Sequence, residues 1–466
     1  MTADARISSS EFPCDSPAAP TRVRHGMILL ATLVAVLLYL DRVCLSTAGT
    51  TVSADLKITK AQLDFLHSAF FWTYALGQLP AGWLGDRFGA RWMLGSYIIL
   101  WSLSTGFLGL AYSLNAVLLL RLACGLFEAG AYPLAASIVR RWVPITSRGL
   151  ASSLIAVGGR LGGALAPILT IQLMLLWTSG SDWWTLPDDA KASLTSWRPV
   201  MGLYGAVGVV IGTIFLIWFR DWPQLHPAVN QAELNLIQGS SGATFVPVRR
   251  AEAPPIAAMV RSIPMWMNCF VQFAANLSWG FIVTKFPQYL EETFLTTQQN
   301  QGWLQSLPLA AGILGLFLGG VFTDTLTAAF GLRWGRSLAM SLSRLLVVLA
   351  LIAVAMAESA WSATICLAIV GLATDLGTPA VWAFGQDVGG RFVGSAVGWA
   401  NMWGNFGVAL SPPFFGWIVG MSAQGTGWKY AFLACAIVNL VAAIAALAVN
   451  AARPLVPETA PTSPAT

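Results

Sequence analysis

The sequence predicts an all-α membrane protein of twelve transmembrane helices in two pseudo-symmetric six-helix bundles. Three observations carry that expectation. Apolar stretches of spanning length recur along all 466 residues, basic residues crowd into alternate loops, and the second half repeats landmarks of the first.

Composition sets the class. The chain is 56% hydrophobic and only 10% charged, with a mean hydropathy of +0.66. Soluble domains carry about 25% charged residues, so most of this surface faces something other than water. A helix needs about 20 apolar residues to cross a bilayer. Such stretches fall near 27–46, 62–83, 92–112, 115–139, 149–177 and 199–219, then near 264–286, 303–323, 337–356, 360–385, 392–420 and 428–450. The first begins at Met27 and leads into Asp41-Arg42, which reads as a spanning helix and not as a cleaved leader. The 44 glycines suit close helix approach in a bilayer.

The predicted organisation follows from these runs. Residues 1–26 form a disordered N-terminal tail, 27–219 the first bundle, 220–262 a linker, 263–450 the second bundle and 451–466 a disordered C-terminal tail. The linker is polar and holds Pro223, Pro227, Pro247, Pro254, Pro255 and Arg249-Arg250. With both termini cytoplasmic, sixteen of the 26 Lys and Arg fall in cytoplasmic segments. Five (Lys57, Lys60, Lys191, Arg198 and Lys429) fall outside, the bias expected of a multi-pass inner-membrane protein in this orientation. Trp177, Trp183, Trp184 and Trp197 flank the external loop after span 5 and read as an interfacial belt.

The repeats are positional. Gly82, Asp86 and Arg91 match Gly320, Asp324 and Arg336 with a short insertion, and Gly125 and Pro133 match Gly371 and Pro379. Gly149, Gly159, Gly162 and Pro167 match Gly394, Gly404, Gly407 and Pro412 at a constant offset. Repeated halves of this kind are a transporter plan, with the substrate site near mid-membrane between them.

Several classes are excluded. The net charge of +5 sits in short loops and not on a face for nucleic acid. Five of the six cysteines lie inside apolar runs, with no metal-ligand spacing, so neither a metal nor another cofactor is expected. Three histidines, His25, His67 and His226, offer no catalytic constellation for a membrane enzyme. A passive anion channel would not need buried acids beside its arginines.

Charges inside spans are the functional candidates, because each costs several kcal/mol there. Asp41 lies roughly 21 Å along the first helix, with Arg42 beside it. Arg121 and Glu128 are seven residues apart, two turns along one face of span 4. Arg42 and Arg121 would attract a carboxylate while Asp41 and Glu128 take up protons. The bland reading is a set of structural ion pairs. Arg160, inside Gly158-Gly159-Arg160-Leu161-Gly162, suits a second anionic or strongly polar end of a substrate, or else pairs with Asp375. Asp375 has Arg160 and Arg344 as candidate partners, and Lys285 reads as snorkelling.

Gly82-Trp83-Leu84-Gly85-Asp86-Arg87-Phe88-Gly89-Ala90-Arg91 resembles the loop signature of the major facilitator superfamily. That resemblance implies a cytoplasmic gate of Gly82, Asp86, Arg87, Gly89 and Arg91, with Asp324 and Arg336 as repeat counterparts. Three further stretches resemble its anion–cation symporter branch, which includes hexuronate, galactonate and glucarate permeases and vesicular glutamate and sialic acid transporters. These are Tyr39–Ser46, Ser68–Pro80, and Arg121–Gly125 with Glu128, Pro133, Arg140–Trp142 and Arg148-Gly149; Asn401, Gly404, Asn405 and Pro412 also fit. The resemblance implies uptake of an organic anion, most simply a sugar acid, by proton symport with alternating access. It implies proton-coupling roles for Asp41 and Glu128 and substrate-binding roles for Arg42 and Arg121. Tyr74, Trp382, Asn401 and Asn405 are further substrate-binding candidates for a polyhydroxylated molecule. Anion exchange, carriage of a nonsugar carboxylate and a nontransporting nutrient sensor are the competing readings. Partners are then the small anion, protons and the bilayer, and the chain can work as a monomer. His67 matches a histidine of the vesicular glutamate transporters, but Ala275-Asn276 stand where those carry an arginine.

Overall fold

The computed structural model describes residues 19–180, 197–241, 253–294, 298–421 and 426–456, which contain helices and no strand. The predicted tails and loop residues Trp183 and Trp184 therefore lie largely outside the described residues. The first half comprises α1 (Val23–Thr47), short α2 (Gly49–Leu56), α3 (Lys60–Phe88), α4 (Ala90–Leu108), α5 (Leu114–Glu128), α6 (Ala131–Trp142), α7 (Arg148–Gly180) and α8 (Trp197–Trp218). Two linker helices follow, α9 (Gln231–Ser241) and α10 (Ile256–Arg261). The second half comprises α11 (Ile263–Thr284), α12 (Phe286–Phe294), α13 (Gln298–Ala355), α14 (Ala360–Leu376), α15 (Thr378–Val388), α16 (Val393–Met421) and α17 (Gly427–Ala446).

These elements make twelve spans. Helix α13 is two spans joined at Gly331, where φ is +75° and a side chain would be strained. The fourth span is α5 with α6, parted after Glu128, and the tenth is α14 with α15, parted at Gly377. The break thus falls at equivalent places in the two halves.

Seven stretches are apolar and long enough to cross a bilayer on length and hydropathy alone, and Ser306–Ala355 among them is the double span. The remaining spans, α3, α4, α11 and α16, turn polar groups inward. Gln78, Ser102, Asn268 and Asn401, one from each, are all buried. Leu29, Leu119, Ile217, Leu349 and Ile437 instead face outward, as lipid-facing positions do.

Each half has its own cores. Leu38, Phe70, Trp101, Leu134 and Trp142 belong to the first, and Phe281, Val347, Leu367, Phe415 and Phe432 to the second. Between the halves, α3 packs along α16 and α7 along the first span of α13. These two seams are pseudo-symmetric, and small residues permit them. A Cβ on Gly82 would strike the Gly394 carbonyl, and one on Gly320 would press on Leu150 and Ser153.

The linker docks on the first half. Helix α1 begins at Val23, and its first amides need acceptors. Glu233 on α9, fully buried, accepts from the Val23 and Arg24 amides at 3.3 and 3.1 Å and pairs with the Arg24 guanidinium at 3.1 Å. His226 sits edge-on to Trp142 and Trp218. Burial, then the nearby Arg220 charge, holds its imidazole below the usual histidine range.

Candidate functional site: a charged layer between the halves

Helices α1 and α5 bring the first charged group together. Arg42 donates from Nε and Nη2 to Glu128 Oε2 at 3.0 and 2.9 Å. Its guanidinium lies 4.4 Å from the Tyr74 ring centroid and 4.9 Å from that of Tyr39. Asp41, one residue earlier, points away to α4, where Trp101 Nε1 donates to its Oδ2 at 3.1 Å.

Arg121 is different. It is only 2% exposed, its guanidinium rests 4.6 Å above the Phe70 ring, and its Nε and Nη1 have no hydrogen-bond partner among the described residues. The acid on its own helix face, Glu128, is already held by Arg42. A buried guanidinium with unmade bonds is costly unless a charged acceptor meets it.

Across the layer, Arg160 Nη2 donates to both carboxylate oxygens of Asp375 at 3.1 and 3.0 Å, linking α7 to α14. The Trp279 ring lies 3.6 Å from that guanidinium. Of the two partners open to Asp375 in the sequence, Arg160 is therefore the bonded one. Arg344 instead donates to the carbonyls of Thr374 and Ala373. Trp382 on α15 packs against Tyr132 on α6 with centroids 5.0 Å apart. Lys285 caps α11 and donates to Gln288 at 2.9 Å.

The second half contributes amides. Gln272 donates to Asn401 at 2.5 Å, Asn401 donates to Gln78 of the first half at 3.5 Å, and Asn405 donates to the Asn401 carbonyl. Gln272 Oε1, Gln78 Nε2 and both polar atoms of Asn268 are buried without a partner among the described residues. Asn268 and Gln272 are one turn apart, so one face of α11 carries unspent donors and acceptors. Residues 268 and 272 escaped the sequence reading because a neutral amide in an apolar run carries little signal.

The linker end of the bundle is closed by a symmetric pair of aspartates. Asp86 accepts from the Gly394 and Ser395 amides at 2.8 and 2.7 Å, at the start of α16. Asp324 accepts from the Gly149 and Leu150 amides at 3.0 and 2.9 Å, at the start of α7. Each carboxylate thus caps the N-terminus of a helix in the opposite half, where orphan amides and the helix dipole favour negative charge. Arg336 binds Asp324 at 3.4 Å and Asp387 at 3.0 Å, and Arg148 of the first half binds the other oxygen of Asp387 at 2.6 Å. Arg91 donates to the Leu216 carbonyl, and its amide bonds Asp221. Gly89, at φ +90°, packs on that same carboxylate, while Arg87 stacks on Trp83 and Phe88. Asp387 was also missed, although the repeat offset sets this acid opposite Arg141 of the first half.

Two six-helix bundles meeting at a buried charged layer define a multi-pass membrane transporter. The chain belongs to the Major Facilitator Superfamily, whose family model matches residues 31–271 and again 268–465. It is 28% identical to a probable sulfoacetate transporter of Cupriavidus necator, over 92% of this chain and 94% of that one. It is 27% identical to a probable galactarate/D-glucarate transporter of Bacillus subtilis, over 90% of each chain. Among solved structures, the Escherichia coli fucose:proton symporter superposes with a TM-score of 0.63 at 15% identity, covering 90% of this chain and 98% of that one. The family and these relatives are transporters and not enzymes.

Proposed function

We propose that this protein imports a small organic anion, a sugar acid such as a hexuronate, aldonate or aldarate, together with protons by alternating access. The observation that carries the proposal is Arg121, buried with two nitrogens unpartnered among the described residues. A carboxylate bound there supplies the missing acceptors. The amide wall of Gln78, Asn268, Gln272 and Asn401 suits hydroxyl groups on the rest of the molecule. The two bacterial relatives, named for sulfoacetate and for galactarate and glucarate, support an acid as cargo.

In this reading Glu128 and Asp41 carry the protons. Protonation of Glu128 releases Arg42 from its ion pair and adds a second free guanidinium beside Arg121. Substrate and proton then favour one another through a single charge cluster. Tyr74 holds the freed Arg42 in place by its ring, and Trp382 and Asn405 complete the walls. The paired caps at Asp86 and Asp324 form the cytoplasmic gate, with both termini cytoplasmic, in an inner membrane and as a monomer.

The test is uptake into liposomes enclosing a pH-sensitive dye, with hexuronates, aldonates, aldarates and nonsugar carboxylates added one at a time. Acidification of the lumen with one acid, abolished in Glu128→Gln, is expected. Exchange of labelled acid without any proton movement would overturn the symport reading.

A further inference from the structure

The Arg160–Asp375 pair has a geometry that a purely structural bridge does not require. Another ion pair between the halves, Arg148–Asp387, lies at the linker end. This one ties α7 to α14 in the middle of the bundle. A structural arginine–carboxylate bridge favours two parallel bonds from two nitrogens. Here one nitrogen, Nη2, serves both oxygens, and Nε and Nη1 make no hydrogen bond to the described residues. The Arg160 side chain is 21% exposed, against 4% for Asp375. The guanidinium lies over the Trp279 ring, 3.6 Å from its centroid, with only Nη2 in use among the described residues.

Its surroundings connect it to the first anion site. Gly159, beside Arg160, packs against the rings of Tyr39 and Tyr132. Tyr39 also lies beneath Arg42. Arg42 and Arg160 thus border the same Tyr39 ring. Asp375 is also not abandoned when Arg160 turns away. Arg344 bonds the two carbonyls just before it and interacts electrostatically with its carboxylate.

We infer that the Arg160–Asp375 pair is a latch between the halves that the substrate itself opens, and that its key is a dianion, an acid with an anionic group at each end. The inference rests on the proposed anion-transport function. One end of the substrate binds Arg121. The other binds the open edge of Arg160 and takes the place of Asp375, which Arg344 then compensates. A monoanion fills Arg121 alone and leaves the halves tied, because breaking a buried pair without replacement is strongly unfavourable.

The experiment uses proteoliposomes of the full chain with labelled glucarate and labelled gluconate, which share a carbon skeleton and differ in one carboxylate. Wild type should favour glucarate in kcat/KM by about tenfold or more, the worth of one charge-assisted bond. Arg160→Gln should erase that preference by lowering glucarate and raising gluconate, which then has no latch to open, and Asp375→Asn should lower the KM for glucarate. The exchanged pair Arg160→Asp with Asp375→Arg should restore protein level and thermal stability but not the preference. Equal transport of the two acids by wild type, or an equal fall for both in Arg160→Gln, would overturn the latch while leaving anion transport intact. Recovery of the preference in the exchanged pair would show a structural bridge and overturn it as well. Transport of neither acid nor any other carboxylate would remove the underlying function and the latch together.

Discussion

The two halves share a fold but divide the chemistry unequally. Span 4 of the first half carries Arg121 and Glu128, whereas the matching positions in span 10 are Leu367 and Thr374. Arg160 of span 5 matches Asn405 of span 11. At the linker end, by contrast, the halves are near copies, with Asp86 on the start of α16 and Asp324 on the start of α7. Symmetry is kept at the closed linker end and lost in the charged layer. The first half supplies Arg42, Arg121, Glu128 and Arg160; the second sets Asp375 and the amides of Asn268, Gln272 and Asn401 in its share of the bundle.

The comparison breaks most visibly at its symmetric seams. Gly394→Leu forces a side chain into the Gly82 carbonyl, and transport should fall on the order of a hundredfold, as overpacking by several kcal/mol implies. Alkylation of a Ser152→Cys reporter, buried at the closed end, should rise in parallel. Asp86→Asn and Asp324→Asn should each raise that alkylation roughly tenfold and by similar amounts, since each weakens one helix cap by about 1 kcal/mol or more. A large effect from one aspartate with none from the other would end the claim of symmetric closure.

The asymmetric part gives a smaller effect. Gln272→Leu with Asn401→Leu should raise the KM for glucarate about tenfold, through lost hydroxyl bonds. The same variant should leave adipate, an equally long diacid without hydroxyls, nearly unchanged. Equal losses for both would reassign these amides to packing.

The smallest effect belongs to the linker. His226 is held below the usual histidine range by burial and by Arg220, opposed by Glu233. Its neutral form is therefore favoured when docked, a contribution present above about pH 6.5 and lost as pH falls through the lowered value. Protection of the α9 amides, expressed relative to their intrinsic exchange rates at each pH, should fall between pH 7.5 and 5.5 in wild type and lose that dependence in His226→Gln.

Most of the fold was legible in the sequence because bilayer thickness sets a length and apolar runs report it directly. Expected ends such as 149–177 and 392–420 fall within a few residues of α7 and α16. The breaks inside spans 4 and 10 were not legible, since nothing in their hydropathy interrupts the run. Charged site residues stood out because a charge in an apolar run is conspicuous. Their pairing did not, because Arg42 and Glu128 are 86 positions apart and only packing joins them. Glu233 shows the same limit: an acid in a polar linker gives no hint that it caps the first helix.

The central claim, that an anion is held by Arg121, is tested most directly by equilibrium binding of labelled glucarate to purified protein. Arg121→Gln should abolish binding while keeping the thermal stability of the wild type, and Gln272→Leu with Asn401→Leu should only weaken it. Unchanged binding in Arg121→Gln would contradict the account and move the anion site elsewhere in the charged layer.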